Sequence, residues 1–323
     1  MQRLLGLALK IIISASLLYF ALARVNLSIV IQRLSQIELI WLVPVFLLLG
    51  IQVVLIALRW RRIVQVCDSS SFFSFRQAFL YSLIGSFFNQ TLPSTVGGDA
   101  VRIWLLARDG TGWKIATYSV LIDRLAGVIA LALIVVCCLP WSFDLISDPT
   151  GRLALLAVGI GSIVAGLCFL ALGFVPWPWL ENWWLTEHLV STARIARQII
   201  VSPAALGPIG AYSLVNHILT VTAAWYLARS VGVPLEWTQA LLLILPVFMI
   251  ATIPLSIAGW GVRESSMIIA FGYAGLPESD GLIVSVLFGA AIFTVGVLGG
   301  ITWILSGRAH KKNGSIIEPI QRS

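Results

Sequence analysis

Charged residues are scarce in this chain, and their scarcity excludes a soluble fold. Only 11% of the 323 residues are Asp, Glu, Lys or Arg, whereas 59% are hydrophobic. Soluble domains carry about 25% charged residues, because they need a polar surface. Several nearly uncharged runs of about 20 residues are long enough to cross a hydrocarbon core as helices. These runs do not alternate, which excludes an outer-membrane barrel. The sequence predicts an all-α polytopic membrane protein.

Residues that commonly build catalytic or metal centres are also few. The three histidines have no carboxylate partner at ligand spacing, and the four cysteines lack the spacing of a disulfide framework or a metal site. No Ser-His-Asp, HExxH, Walker or dinucleotide-binding pattern is present. We therefore expect no enzyme activity, no metal and no cofactor. Nucleic-acid binding is not indicated by the net charge of +7, because Lys and Arg cluster at the ends of the apolar runs.

The apolar runs predict six full spans, and the basic residues beside them predict their orientation. The spans are about 4–23, 39–58, 116–139, 153–175, 207–229 and 281–304. The first resembles a signal peptide, but its apolar run exceeds the usual 7–15 residues, so an uncleaved span is favoured. Arg59, Arg61 and Arg62, which follow the second span, are interpreted as cytoplasmic anchors.

This orientation places both termini in the cytoplasm. We expect a transmembrane domain over 1–307 in a bacterial-type inner membrane, which is the plasma membrane, and a basic cytoplasmic tail at 308–323. A moderately amphipathic stretch at 183–200 is expected to lie along the membrane surface.

Two twelve-residue stretches, 161 residues apart, are nearly the same. Residues 91–102 and 252–263 both fit the pattern T-[LI]-P-x-[ST]-[VI]-[GA]-G-x-[AG]-V-R, with five identical and five similar positions. The predicted orientation requires the first segment to leave and return to the cytoplasmic face, and the second to leave and return to the outer face. Corresponding Gly/Pro-interrupted segments are typical of transporters built as inverted repeats. The halves would be about 4–139 and 153–304, each with a re-entrant or broken-helix element.

Each copy of the motif is expected to break a helix inside the membrane. Proline removes an N–H, and glycine permits a positive φ and close backbone approach. The expected breaks, at about 91–99 and 252–261, must be buried or line a polar cavity. A restarted helix would offer free N–H groups to an anion, and an arginine on its first turn would suit phosphate. The residues that shape the breaks are Pro93, Gly97, Gly98, Pro254, Ser256, Gly259 and Gly261.

Seven polar residues in or near these segments are the candidate substrate-binding groups. Charges at membrane depth are costly and usually paired or functional. Asp99 could instead be a helix N-cap, Arg102 a cytoplasmic anchor, and Asp123 with Arg124 a structural pair. Asn89 could cap backbone carbonyls or touch a ligand. The set is Asn89, Asp99, Arg102, Asp123, Arg124, Arg263 and Glu264.

Three ordered motifs carry a resemblance to a known family. They are Asn89-x-x-x-Pro93 with Gly98-Asp99-x-x-Arg102, then Ser119-x-x-x-Asp123-Arg124, then Pro254-x-Ser256-x-x-Gly259-x-Gly261-x-Arg263-Glu264. Together they resemble the lysylphosphatidylglycerol synthase transmembrane region, or flippase-like domain, over about residues 5–305. The family usually carries Glu-Arg in the second motif, and Asp123 keeps that charge with a shorter side chain.

The resemblance implies an integral inner-membrane protein. In two-domain members this region is thought to flip an aminoacylated phospholipid, while a soluble domain performs the aminoacyl transfer. Only about 16 polar residues follow the last predicted span, at 308–323, so we expect this chain to lack the synthase domain.

The sequence therefore predicts a flippase or transporter for a lipid with an anionic or aminoacylated head group. Arg102, Arg124 and Arg263 would bind phosphate, and the three acidic candidates would balance the arginines and accept hydrogen bonds from the head group. Two alternatives stay open: an intramembrane lipid-phosphate transferase with an acidic general base, and an accessory subunit of a separately encoded lipid synthase or glycosyltransferase. The expected partners are membrane lipids, with a lipid-modifying enzyme and a second copy of the chain as compatible additions.

Overall fold

The computed structural model describes residues 27–69, 71–92, 96–174, 184–253 and 259–313, and these residues contain helices and no strand. A short 3-10 turn, Leu39–Trp41, precedes α2, and a π-helical turn, Ala107–Thr111, links α4 to α5. The helices are α1 (Leu27–Ser35), α2 (Leu42–Cys67), α3 (Phe75–Thr91), α4 (Gly97–Leu106), α5 (Trp113–Leu145), α6 (Pro149–Phe174), α7 (Trp184–Val201), α8 (Pro203–Ser230), α9 (Trp237–Ala251), α10 (Val262–Tyr273) and α11 (Glu278–Asn313).

Five helical stretches among the described residues are long and apolar enough to cross a membrane. They coincide with the five predicted spans between residues 39 and 304, and the predicted first span, 4–23, lies outside the described residues. The prediction of an all-α polytopic membrane protein is confirmed. The stretches are Leu39–Cys67, Trp113–Leu145, Pro149–Phe174, Pro203–Ser230 and Glu278–Leu305.

The order of helices repeats with nearly the same offset as the motifs. Helices α2 and α3 correspond to α8 and α9, since Leu42 and Pro203 start the first pair 161 residues apart and Phe75 and Trp237 start the second pair 162 apart. Helices α4 and α5 correspond in the same order to α10 and α11. Each half therefore consists of a span, a helix–break–helix element and a second span. The remaining helices, α1, α6 and α7, precede or join the halves.

Contacts between α2 and α8 show that the repeat is inverted. Gln52 Nε2 donates to Thr220 Oγ1 at 3.0 Å, and Arg59 Nη1 donates to Ser213 Oγ at 3.1 Å. The 161-residue offset converts Gln52 to position 213 and Arg59 to position 220, so it exchanges the two contacts. The residue numbers run in opposite directions, so the helices are antiparallel. A two-fold axis that relates two antiparallel helices is perpendicular to them. Inverted-repeat transporters have this symmetry.

Both halves contribute to one large apolar core. Buried side chains from α2 and α5 of the first half join those from α8, α9 and α11 of the second; examples are Val45, Leu131, Leu227, Ile244 and Phe288. Burial of this apolar surface holds the two halves together, in addition to the polar contacts between α2 and α8.

The predicted position of Arg59 after the end of the second span is wrong, whereas the predicted orientation stays a prediction. Helix α2 does not end near residue 58 but continues to Cys67, and Arg59 is buried within it. The physical reason is a carboxylate: Arg59 Nε donates to Asp123 Oδ1 at 2.7 Å. An isolated buried charge would be strongly unfavourable, but a hydrogen-bonded counter-ion makes it tolerable inside the protein.

The amphipathic stretch at 183–200 forms helix α7. Its buried face includes Val190, Ala193 and Ala196, and the side chain of His188 meets the Tyr118 hydroxyl of α5, with Nδ1 and the oxygen 2.8 Å apart. The helix therefore has the predicted two-sided character. Its position at the membrane surface stays a prediction.

Candidate functional site

The first helix break is bordered by the side-chain amide of Asn89 and by the two glycines at the start of α4. Helix α3 ends at Thr91 and α4 begins at Gly97, so the break is shorter than the expected 91–99. Asn89 Oδ1 accepts a hydrogen bond from the Gly98 N–H at 2.9 Å. Asn89 therefore caps a free N–H at the start of α4, where the alternatives were backbone carbonyls or a ligand.

Gly97 and Gly98 do not adopt a positive φ, so the expectation that these glycines are needed for that conformation is wrong. Both lie in the first turn of α4, and neither is among the glycines with positive φ. Gly98 instead serves close approach, because a Cβ there would overlap the Gly85 carbonyl of α3 and the Asn89 side chain. The residue in the N-cap position is Val96, so Asp99 is not the N-cap.

Replacement of Gly98 by alanine is expected to force α3 and α4 apart. The added methyl group meets backbone that cannot move aside as a side chain would, and overpacking of this kind costs about 1–3 kcal/mol. We expect a lower thermal unfolding midpoint for Gly98→Ala in detergent. The matched control is Gly50→Ala on α2, where a Cβ meets no atom within 4 Å. Equal midpoints for the two variants would contradict the close contact.

A buried carboxylate joins three elements in the first charged cluster. Asp123 of α5 accepts from Arg59 Nε at 2.7 Å and from Arg102 Nη2 of α4 at 2.9 Å, and its side chain is 2% exposed. Arg59 continues the network to Ser213 of α8, in the other half. One acidic side chain thus forms ion pairs with two arginines and connects α4, α5 and α2.

The neighbouring pair of the same cluster is partly open. Asp99 Oδ2 accepts from Arg124 Nε at 2.5 Å, and the Arg124 side chain is 44% exposed. Asp99 Oδ1 lies 3.6 Å from Arg102 Nη1. Among the described residues, neither that Oδ1 nor the Arg102 Nε has a hydrogen-bond partner, although both atoms are buried. A buried acceptor and a buried donor without partners are costly, and together they could accommodate a ligand that carries both an acceptor and a donor.

An aromatic ring fixes the position of Arg102. Its guanidinium carbon lies 4.1 Å from the centroid of the Trp60 ring, and Trp60 Nε1 donates to Ser119 Oγ at 3.1 Å. The methylenes of Arg102 pass directly over Gly85, where a Cβ would be 2.9 Å away. The ring of Trp60 and the close contact with Gly85 restrict the conformation of the Arg102 side chain more than an ion pair alone would.

The second charged cluster lies at the start of α10 and is fully buried. Arg263 Nη2 donates to Glu264 Oε1 at 2.7 Å, and Arg263 Nε donates to Ser285 Oγ of α11 at 3.0 Å. Ser285 in turn donates to Glu264 Oε1 at 2.9 Å, and the N–H of Gly261 donates to Oε2 at 2.7 Å. The carboxylate therefore binds its neighbouring arginine and caps its own helix.

The glycines of the second break adopt the predicted positive φ. Gly259 and Gly261 have φ values of 80° and 86°, in the region that favours glycine. Helix α9 ends at Ala251 and α10 begins at Val262, which are the helix bounds expected on either side of a break at about 252–261. The predicted Pro93, Pro254 and Ser256 lie outside the described residues.

The two clusters contain the same kinds of contact, although the tryptophans and glycines come from different elements in the two halves. In each half the motif arginine stacks on a tryptophan, lies against a glycine and hydrogen-bonds to the next span. For Arg263 these partners are Trp260, 5.2 Å from ring centroid to guanidinium carbon, then Gly289 and Ser285. The remaining partners differ, because the first half has two further arginines.

The structure brings the predicted residues together in two groups, not one. Asn89, Asp99, Arg102, Asp123 and Arg124 form or border the first, and Gly261, Arg263 and Glu264 form the second. On α11, Gly289 faces Arg263, and Gly299 faces the turn of α3 that precedes Gly85. Ten residues of helix separate these two glycines, or about 15 Å.

Arg59, Trp60, Ser213 and Ser285 are the site residues that sequence reasoning missed. The signal for Arg59 was Gln52, seven residues earlier, since two polar residues at that spacing share one helix face. Ser285 gave no comparable signal, because a single hydroxyl in an apolar span is common. No group of three or more His, Cys, Asp or Glu side chains that could hold a metal ion occurs in the part of the chain that the structure describes.

Comparison with known proteins identifies the family but not the substrate. No curated protein matches the chain. The family model described as Lysylphosphatidylglycerol synthase TM region matches residues 7–300, nearly the whole chain. This family places the chain among membrane proteins of lipid metabolism or transport. The protein belongs to the lysylphosphatidylglycerol synthase transmembrane-region family.

Proposed function

We propose that this protein is a flippase or transporter, and not an enzyme, that moves a lipid with an anionic or aminoacylated head group across the plasma membrane. The observation that carries the proposal is the inverted pair of helix–break–helix elements, each with a buried arginine cluster. In transporters of this architecture, substrates bind between the two repeats. Both termini would be cytoplasmic.

The first cluster supplies the chemistry for a head group. Arg124 is the accessible cation, and a phosphate could share it with Asp99, whose carboxylate also lies 3.6 Å from Arg102 Nη1. The unpartnered Arg102 Nε could donate to a phosphate oxygen, while the unpartnered Asp99 Oδ1 could accept from an amine or hydroxyl. Binding of this kind needs no covalent step.

The second cluster would provide the equivalent step on the other side of the two-fold axis. Its arginine is now covered by Glu264, Ser285 and Trp260, and Arg263 is 5% exposed. Alternating access would open one cluster while it closes the other, by movement of one half against its partner. The Arg59–Ser213 contact, which crosses between the halves, would break and form during that movement.

The proposal predicts that Arg124→Gln slows lipid translocation without loss of fold. The Arg124 side chain is 44% exposed, and the glutamine amide can still donate a hydrogen bond to the buried Asp99 carboxylate, which limits the loss of stability. The replacement removes the charge-assisted hydrogen bond to phosphate, which is worth about 1.5–3 kcal/mol. We expect roughly tenfold or slower translocation of a tagged anionic phospholipid in proteoliposomes. The control is Lys114→Gln at the exposed start of the same helix. Equal rates for wild type, Lys114→Gln and Arg124→Gln would refute this use of Arg124.

A further inference from the structure

An apolar groove runs along helix α6, outside the charged clusters. One cavity of about 390 Å³ lies between α5, α6 and the end of α9, and it includes Leu125, Gly161 and Ile253 in its lining. A second cavity of about 140 Å³ lies between α6, α9 and α10. Val158 and Ile250 line both, so the two cavities adjoin.

The length of the groove matches the thickness of a membrane. On α6 the lining extends from Gly151 in the smaller cavity to Phe169 in the larger. Eighteen residues of α-helix rise about 27 Å, and the hydrocarbon core of a bilayer is about 30 Å thick. The groove therefore extends over nearly the whole depth that a lipid must cross.

One end of the groove lies beside the accessible arginine. On α5, Val128 and Ala132 line the larger cavity and follow Arg124 at intervals of four residues, so all three share one helix face. Helix α6 runs antiparallel to α5, since Gly159 faces Leu139 and Phe169 lines the same cavity as Ile129. An occupant of the groove would thus have its polar end at Arg124.

We infer that the groove binds a hydrocarbon chain of the lipid whose head group binds at Arg124, an assignment that rests on the proposed function. The lining is apolar, as hydrocarbon requires, and the cation at one end complements a phosphate. A partner helix of about 10 Å diameter and 27 Å length would need roughly 2,000 Å³, far more than the two cavities hold. A methylene chain is narrow enough to enter. The hydrocarbon chain would therefore stay in the groove along α6 while the head group moves between the two charged clusters.

The test uses the full-length protein in nanodiscs with phosphatidylglycerol that carries a photoreactive diazirine in one acyl chain. Gly161→Trp fills the larger cavity from a position where a Cβ meets no atom within 4 Å, so the fold should tolerate it. Gly50→Trp, an exposed glycine of α2 with equal free space, is the control. We expect wild-type adducts to map to α5, α6 and the end of α9. About tenfold fewer are expected in Gly161→Trp, which corresponds to about 1.4 kcal/mol of lost affinity.

The outcomes separate the groove from the proposed function. Adducts spread evenly over the lipid-facing surface of wild type, or unchanged in Gly161→Trp, would overturn the groove even if translocation still depends on Arg124. Adducts confined to the groove and removed by Gly161→Trp, in a protein that moves no lipid, would keep the groove and reject the transporter. Loss of adducts in Gly50→Trp as well would mean that the groove is not the source of the adducts.

Discussion

Asp123→Asn should be among the most damaging single substitutions in this protein. The side chains are nearly the same size, but the amide cannot neutralise Arg59 and Arg102, whose guanidinium groups lie 2.7 Å and 2.9 Å from the carboxylate. Breaking a buried ion pair by removal of one partner costs about 3–5 kcal/mol, because the remaining charge stays buried. We expect a large fall in the unfolding midpoint and in lipid translocation.

The control is Asp144→Asn, the same change at an exposed position of the same helix. It should match the wild type in both measurements. Asp123→Glu keeps the charge and has the side chain usual in the family, so it should retain most of the stability. A folded Asp123→Asn protein with the wild-type unfolding midpoint would show that the two arginines do not depend on this carboxylate.

Glu264→Gln is expected to have a comparable effect in the second half. The carboxylate accepts from the Gly261 N–H, from Arg263 and from Ser285, and its side chain is fully buried. An amide has one acceptor oxygen in place of two, and it places two donors where the carboxylate accepts. Arg263 would lose the carboxylate that it binds, and the single remaining oxygen could not both cap α10 and accept from Arg263 and Ser285. We expect loss of about 3–5 kcal/mol and of translocation.

Glu187→Gln, at an exposed position in the first turn of α7, is the matched control. The stability losses at the two clusters should be independent, because the clusters are about 15 Å apart along α11. Substitutions at sites this far apart usually have additive effects. The double variant Asp123→Asn/Glu264→Gln should therefore lose about the sum of the two single losses. A Glu264→Gln protein that unfolds at the wild-type midpoint would contradict the assigned network.

The helices were more predictable than the contacts between them. The spans follow from long apolar runs, and a helix in lipid satisfies its own backbone, so each run determines its own structure. The end of α2 is the exception. A charge at Arg59 normally ends a span, but here it stays inside because Asp123, 64 residues later, neutralises it, and no local pattern contains that information.

The glycines show the same limit at a finer scale. Positive φ or close approach were both open at Gly97, Gly98, Gly259 and Gly261. The second pair takes the first use and Gly98 takes the second, because Gly85 of α3 lies against it. Which use applies depends on the neighbouring helix and not on the motif.

The pairing of charges was also beyond the sequence. Asp99 is the acidic residue nearest to Arg102 in the sequence, three residues away, yet the shorter contact of Arg102 is with Asp123. The motif arginines Arg102 and Arg263 stood out in the sequence as candidate head-group ligands, because charges are scarce in this chain. The structure buries both, and their role as ligands stays a prediction. Their tertiary partners, Trp60 and Ser285 among them, come from other helices.

The most direct test of the account is a translocation assay with wild-type protein in proteoliposomes. Tagged anionic, amine-bearing and zwitterionic phospholipids would be followed across the bilayer, and all lipids would be weighed by mass spectrometry before and after. We expect an anionic or amine-bearing lipid to cross faster than in protein-free vesicles and to be recovered chemically unchanged. A new lipid species that depends on the protein, or the absence of any accelerated crossing, would contradict it.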